Sequence, residues 1–238
     1  MTRNLYSCTP EEETVIAERI RTIRQVIGEE AAKAGRSPDD IKLMAVTKTV
    51  DPGRVNAALK AGAALLGENR AQELREKFQF YGCDSAKIHF IGHLQTNKIR
   101  DIIKRVTCVE SVDSVYLARE LNDACKKAET SLDILLQINI GAEPQKSGFL
   151  PESLPDAAHE IAGLDRLRIR GLMTVPPHVS DERYLAAMAE LQKRMQGENI
   201  PGASFDELSM GMSENYAAAV RHGSTILRIG RGIFGDRT

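Results

Sequence analysis

Apolar positions in this chain keep two periods. Short runs that are apolar or alternate every second residue read as strands at 42–49 (KLMAVTKT), 65–69 (LLGEN), 87–93 (KIHFIGH), 107–111 (TCVES), 133–140 (DILLQINI), 167–175 (LRIRGLMTV), 208–211 and 225–230 (TILRIG). The segments between them, 52–61, 71–80, 95–104, 114–128, 154–163, 182–196 and 214–221, read as helices. Ahead of the first strand, Thr9-Pro10-Glu11-Glu12 has capping-box spacing and opens a helix that runs to about Ala34, before Gly35. Val15, Ile16, Ile20, Ile23, Val26 and Ile27 give that helix one apolar stripe, so it packs on a body. Asp51-Pro52 supplies an N-cap and a proline at the first helical position directly after the first strand.

Eight strands alternating with helices predict an α/β fold, a (β/α)8 barrel of the TIM type, as one domain over 1–238. The alternative is an open doubly wound sheet, but the first strand-to-helix turn lacks a glycine-rich fingerprint. The chain stops soon after the eighth strand, with no eighth helix of useful length. The extra N-terminal helix then either covers that gap or closes the barrel floor.

Composition changes this picture little. The 238 residues carry 32 basic and 33 acidic side chains, net −1, with 42% hydrophobic residues and no tryptophan. That balance gives no reason to expect a nucleic-acid or membrane partner. No apolar run approaches the roughly 20 residues that span a bilayer, and the N-terminus MTRNLYSCTPEEE lacks the apolar core of a signal peptide. Cys8, Cys83, Cys108 and Cys125 are scattered without CxxC spacing, which predicts reduced thiols, no metal site and a cytoplasmic protein.

Strand ends of a barrel converge on one mouth, so the residues there are the candidate chemistry. Strand one closes on Lys48, on the face of Val46 and Met44. An amine among apolar neighbours acts as a nucleophile toward a carbonyl, unless it only caps the strand and snorkels to solvent. Asn69 shares a face with Gly67 and Leu65, and His93 with His89 and Ile91. Strand five puts Gln137 and Asn139 on one face, strand six ends in Met173-Thr174, and strand eight carries Arg228 beside Ile226 and Gly230. Each has a plainer reading: Asn69 as a helix cap, His93 as a structural histidine, Arg228 as the partner of Glu68 or Glu110. After strand seven, Ser209-Met210-Gly211-Met212-Ser213 precedes a helix with Ser213 as its expected cap, and Gly230-Arg231-Gly232 follows strand eight. Barrels hold phosphate with these two loops, although tight-turn chemistry explains either one alone. An amine at strand one with a phosphate cradle at strands seven and eight suggests a phosphorylated carbonyl compound held as a Schiff base.

The set AVTKT, GENRAQE, IGHLQTNK, QINIGAEPQKSGF, RGLMTV and SMGMSENYAAAVRHGSTILRIGRGIFGDR, in order over residues 41–237, resembles the pyridoxal-phosphate (PLP) homeostasis protein family. The resemblance implies a fold-type III PLP barrel, similar to the barrel domain of alanine racemase. It implies an internal aldimine between PLP and Lys48, and a phosphate held by Ser209 and Met210 of SMGMS and by the backbone at Gly230 and Arg231. It further implies Arg228 facing the pyridine nitrogen and Asn69 beside the ring. His93 and Thr174 are carried over as cofactor-binding residues, and Lys146 of QKSG as an accessory amine near the site.

An arginine partner keeps the pyridine nitrogen unprotonated and weakens its use as an electron sink. The chain also ends without the second domain from which alanine racemase-like enzymes take a tyrosine base. The expected function is a PLP carrier or buffer, a monomer or weak homodimer, whose partners are PLP and PLP-dependent apoenzymes, with no dedicated catalytic reaction. One alternative is an amino-acid racemase or decarboxylase with weak activity. A third reading drops PLP and makes the protein a Schiff-base aldolase acting on a sugar phosphate.

Overall fold

The structure, a computed structural model, describes residues 7–177 and 181–236. The first half of the MTRNLYSCTPEEE stretch, part of the loop after strand six and Arg237 lie outside the described residues. Eight parallel strands close into a barrel in sequence order: β1 (Lys42–Val46), β2 (Leu65–Glu68), β3 (Ile88–Phe90), β4 (Cys108–Val112), β5 (Leu132–Ile138), β6 (Leu167–Thr174), β7 (Glu207–Ser209) and β8 (Ile226–Ile229). Helices follow the strands: α2 (Pro52–Lys60), α3 (Ala71–Lys77), α4 (Ile99–Ile102), α5 (Val115–Ala128), α6 (Leu154–Ala162), α7 (Arg183–Gly197), α8 (Tyr216–Arg221) and the single turn α9 (Arg231–Phe234).

Alternation along each strand divides the apolar residues between two cores. Outward side chains such as Leu43, Ala45, Ile134, Leu136 and Leu227 pack under the helices. Inward ones form a separate layer inside the barrel: Met44, Leu65, Cys108, Leu135, Met173 and Ile226. This layer seals the barrel below its carboxyl-end mouth, where the inward positions turn polar.

The helix α1 (Pro10–Lys33) has both halves of the expected capping box, Glu12 N to Thr9 Oγ1 at 3.2 Å and Thr9 N to Glu12 Oε2 at 3.0 Å. Its buried face is Ile16, Ile20, Ile23 and Ile27, and it lies against α2, α8 and α9. That is the gap left by the four-residue α9, so the N-terminal helix serves as the eighth outer helix and does not close the floor. Arg19 ties it there by donating to the Ile233 carbonyl at 3.2 Å.

Several expected elements are shorter. β1 stops at Val46, which places Lys48 in the following turn and not on the strand. β3 spans only Ile88–Phe90; beyond it Gly92 passes so close to Asn69 that a Cβ there would lie 2.0 Å from the Asn69 carbonyl oxygen. α4 is one turn long after a 3-10 turn, and α3 ends at Lys77.

Two glycines separate packing from helix propensity. A Cβ on Gly171 would lie 1.8 Å from the Glu207 carbonyl oxygen across the β6–β7 pair, whereas one on Gly28, within α1, meets nothing within 4 Å. Gly171→Ala is expected to destabilise the fold by about 3 kcal/mol and Gly28→Ala to stabilise it by about 0.5–1 kcal/mol. Urea unfolding of the two variants checks the signs.

Candidate functional site

Above the inner apolar layer, the inward side chains of four strands join in one hydrogen-bonded network. Arg228 of β8, 5% exposed, donates to Ser209 Oγ of β7 at 2.7 Å and to the Thr174 carbonyl of β6 at 2.6 Å. Ser209 in turn donates to Glu110 Oε2 of β4 at 2.5 Å, and His89 Nδ1 of β3 lies 2.6 Å from Glu110 Oε1. Burial pushes the Glu110 carboxyl up, but the His89 contact, the Arg228 charge and the Ser209 hydroxyl outweigh it and hold the group below its usual value. Burial lowers Arg228 against the opposing pull of Glu110, yet a guanidinium remains charged. Glu110 is thus the counter-charge of Arg228, reached through a serine. Glu68, the other carboxylate considered for that role, points outward and accepts from Tyr81 Oη.

The rim above this network is built where β8, β1 and β2 lie side by side. Met44 is level with Arg228 across the β1–β8 pair, and Val46 is level with Gly67 across the β1–β2 pair. Lys48 therefore leaves β1 between Arg228 on one side and Asn69 on the other. It is half-buried in the turn 47–50, which is closed by Val50 N donating to the Thr47 carbonyl at 3.0 Å. Asn69 does not cap a helix: the N-cap of α3 is Arg70, and Asn69 Oδ1 is a buried acceptor with no hydrogen-bond partner. Such an atom costs free energy until a donor reaches it. Gly230 lies against Val46, and a Cβ on it would make only ordinary contacts there, the shortest 3.5 Å.

The loops after β7 and β8 meet at Ser213, whose Oγ accepts from Gly232 N at 3.2 Å. The cap of α8 is Asn215, so Ser213 is free of the capping role expected of it. A Cβ on Gly232 would fall 2.8 Å from Ile229 Cγ2, so only glycine permits this approach. Ser209, by contrast, already makes two hydrogen bonds in the network beneath. Met210 alternates away from Ser209 and packs in the outer core. Thr174 turns its hydroxyl onto the Ile138 carbonyl at 2.9 Å and offers Arg228 only its backbone oxygen. His93 is not on β3; it stands in the following loop, 65% exposed, 3.4 Å from Asp113. Arg231 is exposed and paired with Glu214, so its backbone alone belongs to the loop.

Gln137 and Asn139 are engaged with the loop that follows β5. Gln137 donates to the Ser147 carbonyl at 2.9 Å, and Asn139 Nδ2 donates to the carbonyls of Glu143 and Lys146 at 2.9 and 3.1 Å. Together they fold the loop 141–148 back onto β5. Lys146 is half-buried in that loop and paired with Glu143.

The sequence profile of the alanine racemase N-terminal domain family matches residues 16–238. The pyridoxal phosphate homeostasis protein of Escherichia coli is 37% identical over 226 residues, covering 93% of this chain and 97% of its own. The chain belongs to the pyridoxal phosphate homeostasis protein family. A crystal structure of an unknown protein from Bifidobacterium adolescentis superimposes with a TM-score of 0.91 at 32% identity, covering 95% of this chain and 97% of its own. PipY of Synechococcus elongatus, solved with PLP bound, gives 0.78 at 29% identity, over 92% of this chain and 100% of its own. The family's eight-stranded racemase-type barrel is the fold found here.

The residues at the mouth fit such a group. An orphaned amide oxygen, a buried guanidinium, an amine-bearing turn and a glycine–serine loop pair offer a donor or acceptor for each polar part of PLP. Its ring nitrogen, ring substituents, aldehyde and phosphate all find a candidate.

The network carries a stability prediction of definite sign. Glu110→Ala strands Arg228 in the barrel and is expected to cost about 3–5 kcal/mol, measured by urea unfolding. The Glu110 carboxyl lies below its ordinary value of 4.5, so its stabilisation is complete above that pH and is lost as pH falls through the lower folded value. Stability of the wild type therefore drops more steeply below about pH 4.5 than that of Glu110→Gln.

Proposed function

We propose that the barrel mouth binds PLP through a Schiff base at Lys48, and that the protein buffers and carries PLP without a dedicated reaction of its own. Lys48 supplies the amine from its turn at the end of β1. Asn69 accepts through its unpartnered Oδ1 from a polar ring substituent. Arg228 meets the ring nitrogen from the barrel side. The phosphate goes to the Ser213 hydroxyl and the backbone of Gly230 and Arg231, above Ser209 and not on it. His93, Thr174 and Met210 take no direct part in this arrangement.

The convergence of the amine-bearing turn, the orphaned Asn69 oxygen and the buried Arg228 at one end of the barrel carries this reading. The names and the PLP-bound structure of relatives support it. PLP supplies electron withdrawal toward its ring when bound. A guanidinium at the ring nitrogen opposes protonation there and so limits that withdrawal. The residues of this mouth accordingly favour holding over turnover. Handover to PLP-dependent apoenzymes is part of the proposal, as is a cytoplasmic setting, which the four free cysteines suit. A single domain acting as a monomer or weak homodimer completes it. No helix among the described residues is long and apolar enough to cross a membrane.

Borohydride reduction of PLP-loaded protein is expected to put the pyridoxyl mass on the peptide carrying Lys48, and Lys48→Ala to remove it. Ser213→Ala is expected to weaken PLP retention about tenfold, equivalent to one charge-assisted hydrogen bond. Label spread over exposed lysines such as Lys60 and Lys98 would contradict the site. Efficient racemisation or decarboxylation of an amino acid would contradict the carrier role.

A further inference from the structure

The turn that bears Lys48 has an unusual residue in it. Val50 N donates to the Thr47 carbonyl, so the turn comprises residues 47–50 with Lys48 second and Thr49 third. Thr49 has φ +64° while Lys48 does not have a positive φ. A positive φ at the third position alone is the type II pattern, and glycine is the residue that fits there. A β-branched threonine in that region is held by its surroundings and not by preference.

One side chain does the holding. Glu73 Oε2, on α3, accepts from Thr49 N at 2.8 Å. The same oxygen accepts from Lys77 Nζ at 2.7 Å, and Lys77 also reaches the Thr47 carbonyl at 3.5 Å. Arg70 Nη1 lies 3.3 Å from the other oxygen. Burial raises the Glu73 carboxyl, but Lys77 and the Thr49 amide outweigh it and keep it ionised. The geometry of the turn makes this contact specific. Type I and type II turns differ by a flip of their central peptide, here the peptide between Lys48 and Thr49, and its N–H is the one Glu73 accepts from.

We propose that Glu73 is a positioning residue for Lys48, locking the central peptide of a type II turn that Thr49 would otherwise abandon. This rests on Lys48 being the PLP-bearing amine. Without the carboxylate the peptide flips to the type I form, Thr49 leaves the left-handed region, and the lysine's backbone anchor turns away from the mouth.

The test has two readouts on the wild type, Glu73→Ala, Glu73→Gln and the double variant Glu73→Ala/Thr49→Gly. The first is hydrogen exchange of the Thr49 amide in PLP-free protein. The second is the fraction of Lys48 trapped by borohydride after dilution of the PLP-loaded protein. Glu73→Ala is expected to expose the Thr49 amide and lower PLP retention at Lys48 roughly tenfold. Glu73→Gln, which keeps an acceptor but no charge, is expected to behave like the wild type. The double variant is expected to recover retention, because glycine holds the turn without a clamp. A folded Glu73→Ala with wild-type exchange and retention would overturn the proposal. So would a loss in Glu73→Gln as deep as in Glu73→Ala, or a double variant that recovers nothing. A wild type that traps no PLP at Lys48 would overturn the function on which the proposal rests, and amide exchange would still decide the clamp.

Discussion

A guanidinium sealed at the head of a barrel must have its charge answered, and that demand selects the inward groups of five strands. Arg228 on β8 is met by the Ser209 hydroxyl on β7, the Thr174 carbonyl on β6 and the Glu110 charge on β4, which His89 on β3 helps to hold. Removing Ser209 or Glu110 leaves a buried polar group without a partner, which costs more than the lost bond itself. The apolar layer of Met44, Leu65, Cys108, Leu135, Met173 and Ile226 beneath keeps water from supplying the missing partners from below. The network therefore fixes the floor of the mouth before anything binds there.

The rim obeys a different constraint. Lys48, Asn69 and Gly230 come together because β8, β1 and β2 are neighbours in a closed sheet, so residues far apart in sequence share one edge. Close approaches at two glycines tighten that edge: Gly92 against the Asn69 backbone, and Gly232 against the Ile229 side chain. Polar side chains elsewhere on the mouth serve the loops. Asn139 illustrates the difference, since its whole amide is used in pinning the loop 141–148, whereas the buried amide oxygen of Asn69 has no hydrogen-bond partner.

Much of the fold was legible in the sequence because period-2 and helical patterns depend on local alternation. The barrel, the capping box at Thr9 and the N-cap at Asp51 follow from such patterns. The shared face of Gly67 with Leu65 and of Arg228 with Ile226 followed from the same alternation, and Leu65 and Ile226 lie in the inner layer. What local pattern misses is where strands stop. The TKT of KLMAVTKT reads as more strand, yet the chain turns at Thr47, so Lys48 is set by a turn and by a helix two elements away. Ser209 and Ser213 are equivalent by composition; only the pairing of β7 with β6 and β8 shows that one belongs to the floor and the other to the rim. Glu110 was one of two carboxylates open as the partner of Arg228, and only the closed sheet shows that it, and not Glu68, answers that charge, through Ser209.

Holding without turnover is the central claim, and it turns on the charge facing the ligand's ring nitrogen. The direct measurement is the nitrogen-15 chemical shift of ring-labelled PLP bound to the wild type and to Arg228→Glu. The account predicts an unprotonated ring nitrogen in the wild type across neutral pH, and a shift toward the protonated form in the variant. A protonated ring nitrogen in the wild type would contradict it, because the buried guanidinium would then not be the group that meets the ligand.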